Sequence, residues 1–272
     1  MKSPLITLKV HEALLAARGT GAAVIECSLD SSDLSFGSRL PRLAGRGRAS
    51  QYPYLTVCKD RTVYRWTGAT FEPVSRFTSS LIKLVPTEWG APTFEIDGIK
   101  MLPSATVSPY ADAERKVGLI QPRGKRVLDT CGGLGYFAAW CLKGQASHVL
   151  SFEKSPDVIW LRGLNPWSPS PDAALTLTEG DVSKEIALLP AASFDAILHD
   201  PPRFGIAGEL YSQAFYDQMG RVIRRKGRLF HYTGTPNKLT SGRDVPNEVA
   251  TRLRKAGFST ELNGDGVLAV KK

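Results

Sequence analysis

A chain of 272 residues with 42% hydrophobic and 22% charged residues has the composition of an ordinary globular protein and can bury a core without disulfides or metal. The four cysteines are irregularly spaced and form no C-x-x-C pair, which excludes a disulfide framework and a zinc site of that kind. The net charge of +9 is spread along the chain, so charge alone leaves a nucleic-acid partner and a solvated basic surface equally open.

The start of the chain predicts neither secretion nor membrane insertion. Residues 1–5 lack the apolar core of a signal peptide, and no run of about 18 apolar residues occurs in the sequence. Together with the cysteine usage, this favours a reducing, cytoplasmic setting.

Residues 1–100 predict a small N-terminal α+β domain. The pattern indicates a helix over 5–18, strands over 22–29 and near 34–36, a β-hairpin over 54–58 and 62–66, and further strands over 80–85 and 93–99. The domain contains no recognisable catalytic cluster. We therefore expect it to recognise substrate or to cover the site of the next domain.

A basic segment interrupts this domain. Residues 37–51 carry Arg39, Arg42, Arg46 and Arg48 among Gly, Pro and Ser, which is typical of a surface loop. The loop and the N-terminal domain could contact the phosphate backbone of an RNA substrate, or the arginines could simply keep the loop solvated.

From residue 101 to 272, helices alternate with short apolar strands, which predicts an α/β domain with a parallel sheet. The predicted strands are 126–130, 148–152, 174–177, 194–199, 228–232, 258–262 and 267–270, and the main predicted helices are 111–121, 137–143, 158–164, 209–225 and 245–256. The closing hairpin predicts a Rossmann-like sheet of seven strands in which the last strand is antiparallel.

A glycine-rich turn follows the first of these strands. Asp129 ends the strand, Cys131 to Gly135 form the turn, and a helix begins near Tyr136, an arrangement that presents backbone N–H groups to a ligand. Gly133 to Ala138 match the dinucleotide pattern G-x-G-x-x-A, so this turn alone could also bind NAD.

Three acids at strand ends indicate which kind of cofactor the turn binds. Glu153 closes strand 2, where a carboxylate can accept hydrogen bonds from both ribose hydroxyls. Asp181 follows strand 3 and could bind the adenine amine, with Val182 covering the ring. Asp200 follows strand 4, and Pro201 and Pro202 fix the backbone there.

Four segments carry a family resemblance, namely residues 84–96, 128–136, 164–167 and His199-Asp200-Pro201-Pro202-Arg203-Phe204. The chain resembles class I S-adenosylmethionine (SAM)-dependent methyltransferases, and more closely a family of uncharacterised predicted methyltransferases common in archaea. The resemblance implies SAM as cofactor and no metal. It assigns the methionine end to Asp129, Gly133 and Gly135, the ribose to Glu153 and the adenine to Asp181.

The chain departs from the methyltransferase pattern at one position. Cys131 stands where the commonest motif has its first glycine, and Gly132 is displaced by one residue. This departure puts the path of the cofactor-binding turn in question.

The resemblance places the catalytic groups after strand 4. Asp200, with Pro201, Pro202 and Arg203, is expected to orient the acceptor. His199 or His231 could accept a proton, or both could be structural. Such a tetrad with an aromatic fourth residue suits methylation of an exocyclic nitrogen. Arg203 is instead typical of some uracil C5 methylases, whose cysteine nucleophile has no counterpart after strand 5.

Seven further residues are candidates for the acceptor side. They are Asn165, Pro166, Trp167, Tyr110, Lys116, Tyr211 and Tyr216. A basic group could either contact RNA or complement a helix C-terminus, and it comprises Arg221, Arg224, Arg225, Lys226 and Arg228.

The leading hypothesis is a SAM-dependent methyltransferase with RNA, and tRNA in particular, as the favoured acceptor. Three alternatives stay open: a polyamine aminopropyltransferase that uses decarboxylated SAM, an NAD-dependent reductase, and a non-catalytic nucleic-acid-binding module whose methyltransferase core has degenerated.

Overall fold

The computed structural model describes residues 5–18, 29–30, 55–234 and 244–272. The chain divides into two compact units. The first comprises Met1–Asp112 with Asp157–Pro169, and the second comprises Ala113–Pro156 with Ser170–Lys272. The predicted domain boundary at residue 100 stays a prediction. The predicted strand over 22–29 lies outside the described residues except for Leu29, which is in a turn, and the predicted strand near 34–36 and the segment predicted as a basic loop, residues 37–51, lie outside them entirely.

The first unit contains two small antiparallel sheets. One has the strand order β1-β2-β3 and the other the order β4-β5-β6-β7. The strands are β1 Leu5–Ile6, β2 Tyr64–Trp66, β3 Phe71–Pro73, β4 Ser75–Phe77, β5 Leu81–Val85, β6 Thr93–Ile96 and β7 Ile99–Lys100, and helix α1 is Leu8–Arg18. Ile6 of β1, Tyr64 of β2 and Phe71 of β3 form a small apolar cluster.

Two sequence predictions for this unit need correction. The helix predicted over 5–18 begins only at Leu8, because Leu5–Ile6 pair with β2. The hairpin predicted over 54–66 is wrong: residues 55–58 form no strand. The reason is that β2 has β1 on one edge and β3 on the other, so neither edge remains for residues 55–58.

A segment distant in sequence belongs to the same unit. The Asp157 carboxylate accepts hydrogen bonds from Arg76 at 3.1 Å and from the Thr78 hydroxyl at 2.6 Å. The Arg76 guanidinium also lies over the Trp160 ring, 3.8 Å from its centroid. These contacts tie residues 157–169 to strand β4.

The second unit is built on one seven-stranded sheet. Its strand order is β10-β9-β8-β11-β12-β14-β13. The strands are β8 Arg126–Asp129, β9 His148–Glu153, β10 Leu175–Glu179, β11 Phe194–His199, β12 Ile223–Tyr232, β13 Phe258–Asn263 and β14 Gly266–Lys271. Strands β8 to β12 are parallel, whereas β14 is antiparallel to β12 and to β13.

This topology confirms the predicted fold class. The sheet is Rossmann-like, of the class I methyltransferase type, with seven strands and a reversed last strand, and small N-terminal sheets accompany it. The remaining helices are α2 Pro109–Ile120, α3 Tyr136–Lys143, α4 Pro156–Leu164, α5 Val182–Glu185, α6 Gln213–Val222 and α7 Val245–Lys255. Among the described residues, no helix is long and apolar enough to span a membrane.

The helix predicted over 209–225 is wrong in its bounds. A 3-10 turn covers Gly208–Tyr211, the Ser212 hydroxyl caps α6, and β12 already begins at Ile223. Ile223 pairs with Phe194, and the register shifts before the pairing resumes at Arg228. Lys226 adopts a φ of 64°, so an irregular strand replaces the predicted helix end and turn.

The sheet brings the predicted site residues to one edge. Because β8 to β11 are parallel neighbours or next neighbours, their carboxyl ends meet there. Asp129, Glu153, Asp181 and Asp200 all lie at or just after these strand ends.

Candidate functional site

The glycine turn after β8 has a geometry that requires glycine. Gly133 has a φ of 49° and Gly135 a φ of 80°, both in the left-handed region that side chains disfavour. The Gly135 N–H donates to the Gly132 carbonyl at 2.7 Å. Asp129 is fully buried and accepts a hydrogen bond from the Ser151 hydroxyl at 2.8 Å, which ties the start of the turn to β9.

Glu153 faces this turn from the end of β9. Its Oε2 accepts the Gly133 N–H at 2.9 Å, and its Oε1 accepts the Ser155 N–H at 2.9 Å. An ionised carboxylate has about four lone-pair sites. The two bonds from backbone N–H groups fix the carboxylate in place at the end of β9.

Asp181 is the N-cap of the short helix α5. Its carboxylate accepts hydrogen bonds from the Ser183 N–H at 3.1 Å and the Ser183 hydroxyl at 2.6 Å, and it pairs with Lys154 at 2.9 Å. Desolvation alone would raise the pKa of Asp181, but the bonds from Ser183 and Lys154 outweigh it and the pKa is lowered. The carboxylate is therefore ionised at neutral pH. Val182 is buried in the main core of the unit.

Cys131 lies in the turn with a thiol that is held protonated. Burial raises its pKa well above the usual value, and the negative charge of Glu153 raises it further. The smaller effects of the Asp129 and Asp200 charges act in the same direction, against the Thr130 hydroxyl. Since the thiolate is the nucleophilic form, Cys131 is unsuited to attack a substrate at neutral pH.

Asp200 forms a salt bridge with a buried lysine of α2. Lys116 Nζ lies 3.2 Å from Asp200 Oδ2, and the lysine side chain is 1% exposed whereas that of Asp200 is 20% exposed. The ammonium also sits 3.8 Å from the centroid of the Tyr232 ring. Asp200, the acid predicted to orient the acceptor, is thus paired with the buried ammonium of Lys116.

The segment after Asp200 is fixed by local contacts. Pro201 is buried, whereas Pro202 and Arg203 are exposed. The Tyr211 hydroxyl donates to the Pro202 carbonyl at 3.2 Å, and the Phe204 ring packs edge-on against Tyr211. Burial, followed by the Asp200 charge, raises the pKa of Tyr211 above its usual value, so its hydroxyl keeps its proton.

His199 is held inside the sheet. It is fully buried, with Nδ1 2.6 Å from the Thr130 hydroxyl and Nε2 3.1 Å from the Leu210 carbonyl oxygen. Burial, followed by the nearby His231, lowers its pKa well below 6.5. A neutral ring next to a carbonyl carries its proton on Nε2 and accepts the Thr130 hydroxyl at Nδ1.

His231 is held in the same way. Its Nδ1 lies 2.8 Å from the Tyr232 carbonyl oxygen and its Nε2 2.9 Å from the Tyr216 hydroxyl. Burial lowers its pKa to about 4. The rings of His199 and His231 meet edge to face with centroids 4.4 Å apart. Both imidazoles have partners at both nitrogens, so we assign them to the structure of the strand ends; the predicted role as proton acceptors stays a prediction.

The other residues predicted for the acceptor side occupy two places. In the first unit, Trp167 Nε1 donates to the Leu29 carbonyl at 2.9 Å and its ring meets Tyr110 at 4.8 Å. Asn165 is fully buried and bonds Ser168 at 2.8 Å. In the second unit Tyr216 is fully buried beneath His231, so it packs inside rather than lining a surface.

The predicted basic group divides into structural and exposed members. Arg221 donates to the carbonyls of Ile186 and Leu189 at 2.8 and 2.7 Å. Arg224 pairs with Asp195 at 2.6 Å, and Arg228 donates to the Leu119 carbonyl at 3.2 Å. Arg225 and Lys226 are exposed.

The sequence did not lead us to predict that Lys116 pairs with Asp200. The signal available was the stripe Ala113, Lys116, Val117 and Ile120, which has the spacing of one buried helix face with a lysine in it. A lysine at such a position needs a buried partner. Among the described residues, no group of three or more His, Cys, Asp or Glu side chains is placed to hold a metal ion.

The sheet order, the glycine turn and the acid at the end of β9 define a domain with the fold of class I SAM-dependent methyltransferases. No protein-family model matches the chain. An uncharacterized protein of Methanocaldococcus jannaschii is 41% identical over 194 residues, which cover 70% of this chain. This chain spans 66% of the length of that relative.

Solved structures share the fold. A spermidine synthase in complex with the transition-state analogue AdoDATO matches with a TM-score of 0.61 at 17% identity, over 76% of this chain and 78% of that chain. The spermidine synthase from Thermotoga maritima matches with a TM-score of 0.56 at 16% identity over the same shares. At these identities the likeness concerns the fold alone.

Proposed function

We propose that the protein is a SAM-dependent methyltransferase and that its acceptor is RNA, with tRNA as the first class to test. The observation that carries the cofactor assignment is the Glu153 carboxylate, which the N–H groups of Gly133 and Ser155 fix at the end of β9. A carboxylate held at this strand end suits the two hydroxyls of a ribose.

The residues at the strand ends fit SAM. Glu153 would hold the ribose, Asp181 the adenine, and the turn of Asp129, Gly133 and Gly135 the methionine end. Bound SAM supplies a methyl group already activated on a sulfonium, so the protein needs to orient the acceptor rather than to attack it.

The protein's own groups agree with that requirement. Asp200 is an oriented hydrogen-bond acceptor at the end of β11, suited to an N–H or O–H of the acceptor. The Cys131 thiol is protonated, and the buried histidines are neutral and bonded at both ring nitrogens. We therefore expect no covalent enzyme intermediate.

Support for RNA as acceptor is electrostatic. The chain carries a net charge of +9, Arg203 is exposed two residues after Pro201, and Arg225 and Lys226 are exposed on β12. Basic side chains of this kind bind phosphates and release counterions, which favours a polyanion. The arginines Arg39, Arg42, Arg46 and Arg48, which lie outside the described residues, would add to this attraction.

The second candidate is an aminopropyltransferase, which the shared fold with spermidine synthase favours. In that chemistry the polyamine substrate must give up an ammonium proton before its amine attacks, and the acid that would bind it, Asp200, is here paired with the Lys116 ammonium. An NAD-dependent reductase would use the turn from Gly133 and Glu153 but leaves Asp200-Pro201-Pro202 without a role. A non-catalytic module has Cys131 as its only support.

Calorimetry with SAM, decarboxylated SAM and NADH on the purified chain separates these candidates. We expect SAM to bind in the micromolar range and more tightly than the other two. Transfer of labelled methyl from SAM is then measured on total tRNA, rRNA and DNA, with Asp200→Ala as the control. Tight decarboxylated SAM binding without SAM binding would favour the aminopropyltransferase, and transfer to DNA alone would refute RNA.

A further inference from the structure

We propose that the side of the sheet opposite the candidate site binds the phosphate backbone of the RNA acceptor, so that the acceptor is a folded RNA rather than a nucleoside or a dinucleotide. This inference rests on the proposed function, because RNA as acceptor is part of that proposal. We call the surface the basic edge. It lies around the amino ends of β8 and β12 and consists of the exposed residues Arg123, Arg126, Arg224, Arg225 and Lys226.

A bulge in β12 brings three of these cations together. The pairing of β12 with β11 is interrupted between Phe194 and Ala196, so residues 224–227 stand opposite the single residue Asp195. A bulge of this kind bends the strand away from the regular ladder and redirects its side chains. Lys226 adopts a φ of 64°, which costs free energy for a residue with a side chain. The exposed residues of the bulge are Arg224, Arg225 and Lys226.

Two acids of the second unit lie near the basic edge, and both carboxylates already have partners. Asp195, at the start of β11, pairs with Arg224 at 2.6 Å and accepts the Arg126 backbone N–H at 2.9 Å. Asp172, just before β10, accepts the N–H groups of Ala174 and Leu175 at 2.8 and 3.0 Å. Two carboxylates leave a surplus of positive charge beside the five exposed cations of the basic edge.

The other described acids of the second unit lie elsewhere. Those at the carboxyl ends of strands are Asp129, Glu153, Glu179, Asp181 and Asp200. Those in turns, in helices or at their starts, or within β13 are Glu114, Glu185, Glu209, Asp217, Asp244, Glu248, Glu261 and Asp265. None of them lies at the amino end of a strand of the seven-stranded sheet, so they do not neutralise the basic edge.

The ends of helices account for neighbouring cations but not for all of the basic edge. The half-buried Lys125 and Arg228 donate to the last two carbonyls of α2, at 2.7 and 3.2 Å, where cations complement the helix dipole. Burial, followed by the Arg228 charge, lowers the pKa of Lys125 against the smaller opposite effect of Asp195. Within the described part of the chain, no residue pairs with the side chains of Arg123, Arg225 and Lys226.

The basic edge and Asp200 lie at opposite ends of the same strand. Asp195 is the second residue of β11, and Asp200 follows its last residue. At about 3.3 Å per residue, the two positions are about 16 Å apart through the sheet, and further apart over the surface. A nucleoside bound at Asp200 cannot reach the basic edge, whereas a folded RNA extends well beyond the nucleotide that is methylated. Phosphate contacts at a distance would position such an RNA.

Binding of end-labelled total tRNA to the full chain tests this inference. Affinity is measured without SAM at several salt concentrations for the wild type and for Arg225→Gln/Lys226→Gln, which changes two exposed side chains. The matched control is Lys100→Gln/Lys184→Gln, which removes two exposed lysines of β7 and α5 and changes the net charge equally. Urea midpoints verify that both variants are folded.

We expect Arg225→Gln/Lys226→Gln to bind tRNA about tenfold more weakly and to reduce the slope of log affinity against log salt by about 1.5–2. The control should keep the wild-type slope. In methyl transfer from SAM to tRNA, the same double variant should raise KM and leave kcat unchanged, because these contacts are equal in the ground and transition states. Transfer to tRNA digested to nucleosides should be much slower.

Equal losses in the double variant and in the control would overturn the inference, because only net charge would then matter. An unchanged salt slope, or undiminished transfer to digested tRNA, would overturn it as well. If double-stranded DNA bound as tightly as tRNA and lost as much affinity in the double variant, RNA would not be the partner of the basic edge. Absence of methyl transfer to any RNA by the wild type would instead count against the proposed function, and the tRNA-binding comparison would still decide the role of the basic edge.

Discussion

The Gly133 N–H donates to Glu153 Oε2 at 2.9 Å and so joins the turn after β8 to the end of β9. The two residues are 20 positions apart in the sequence. Gly133 adopts a left-handed backbone conformation, and the Glu153 carboxylate also accepts a hydrogen bond from the Ser155 N–H. The bond places an anion and a glycine turn side by side at the sheet edge. The cofactor assignment depends on this relationship.

Glu153→Gln should weaken SAM binding by about tenfold to a hundredfold. A glutamine has only one carbonyl oxygen, so it cannot keep both backbone bonds and also accept two hydroxyls, and each bond to a charged group is worth about 1.5–3 kcal/mol. Calorimetry measures the dissociation constant. Glu261→Gln, an exposed change on the edge strand β13, serves as the control and should leave the affinity unchanged.

Stability should fall as the pH falls from about 6.5 toward 4. The pKa of His231 is about 4 in the folded protein and 6.5 when solvated, so the unfolded chain binds a proton in this window that the folded chain excludes. Stability then rises with pH, by about 2 kcal/mol between pH 5 and pH 7.5 for this group. The lowered pKa of His199 acts in the same direction.

Urea unfolding at pH 5 and pH 7.5 tests this linkage. His231→Gln removes the titrating group, so the difference between its stabilities at the two pH values should be smaller than that of the wild type by about 2 kcal/mol. An equal difference in the variant would show that His231 is not the group responsible.

Arg221→Met should destabilise the fold, whereas Arg225→Met should not. Arg221 donates to the carbonyls of Ile186 and Leu189 beside the 3-10 turn Ile186–Leu188, and the loss of these two hydrogen bonds should cost about 1–3 kcal/mol in total. Arg225 is exposed, so its change should stay within about 0.5 kcal/mol. Urea midpoints compare the two, and equal midpoints would contradict the assignment.

Cys131 should react slowly with iodoacetamide at pH 7.5. Burial and the charge of Glu153 raise the pKa of its thiol, so almost no thiolate is present. Mass spectrometry of the intact, folded chain follows the alkylation, with peptide mapping to locate it. Denatured chain provides the reference rate, and an equally fast reaction in the folded protein would mean that the pKa of this half-buried thiol is not raised.

Local patterns predicted the second unit well because its strands are short, apolar and separated by turns and helices. The closing hairpin around residues 263–266 and the turn at Gly133 carry their own signals, and both strands of the hairpin formed where expected. The prediction of where the helix ends near Ile223 was wrong because β12 begins directly after α6, with no glycine or proline between them. Pairing with Phe194 decides that boundary, and this contact is distant in sequence.

In the site, too, features set by local sequence were predicted and a contact between distant residues was not. The strand-end acids were predicted from their positions, since each follows an apolar run. The partner of Asp200 was not, because Lys116 is 84 residues away and the two meet only through the packing of α2. The prediction of an N-terminal hairpin was wrong for a related reason, because β2 pairs with Leu5–Ile6, almost 60 residues earlier in the sequence.

The central claim is that the turn at Gly133 and the carboxylate of Glu153 bind SAM. The most direct measurement is calorimetric titration of the wild-type chain and of Glu153→Gln with SAM. The claim predicts a one-to-one complex in the micromolar range for the wild type and a weaker complex for the variant. Absence of SAM binding by the folded wild-type chain, or equal affinity in the two proteins, would contradict it.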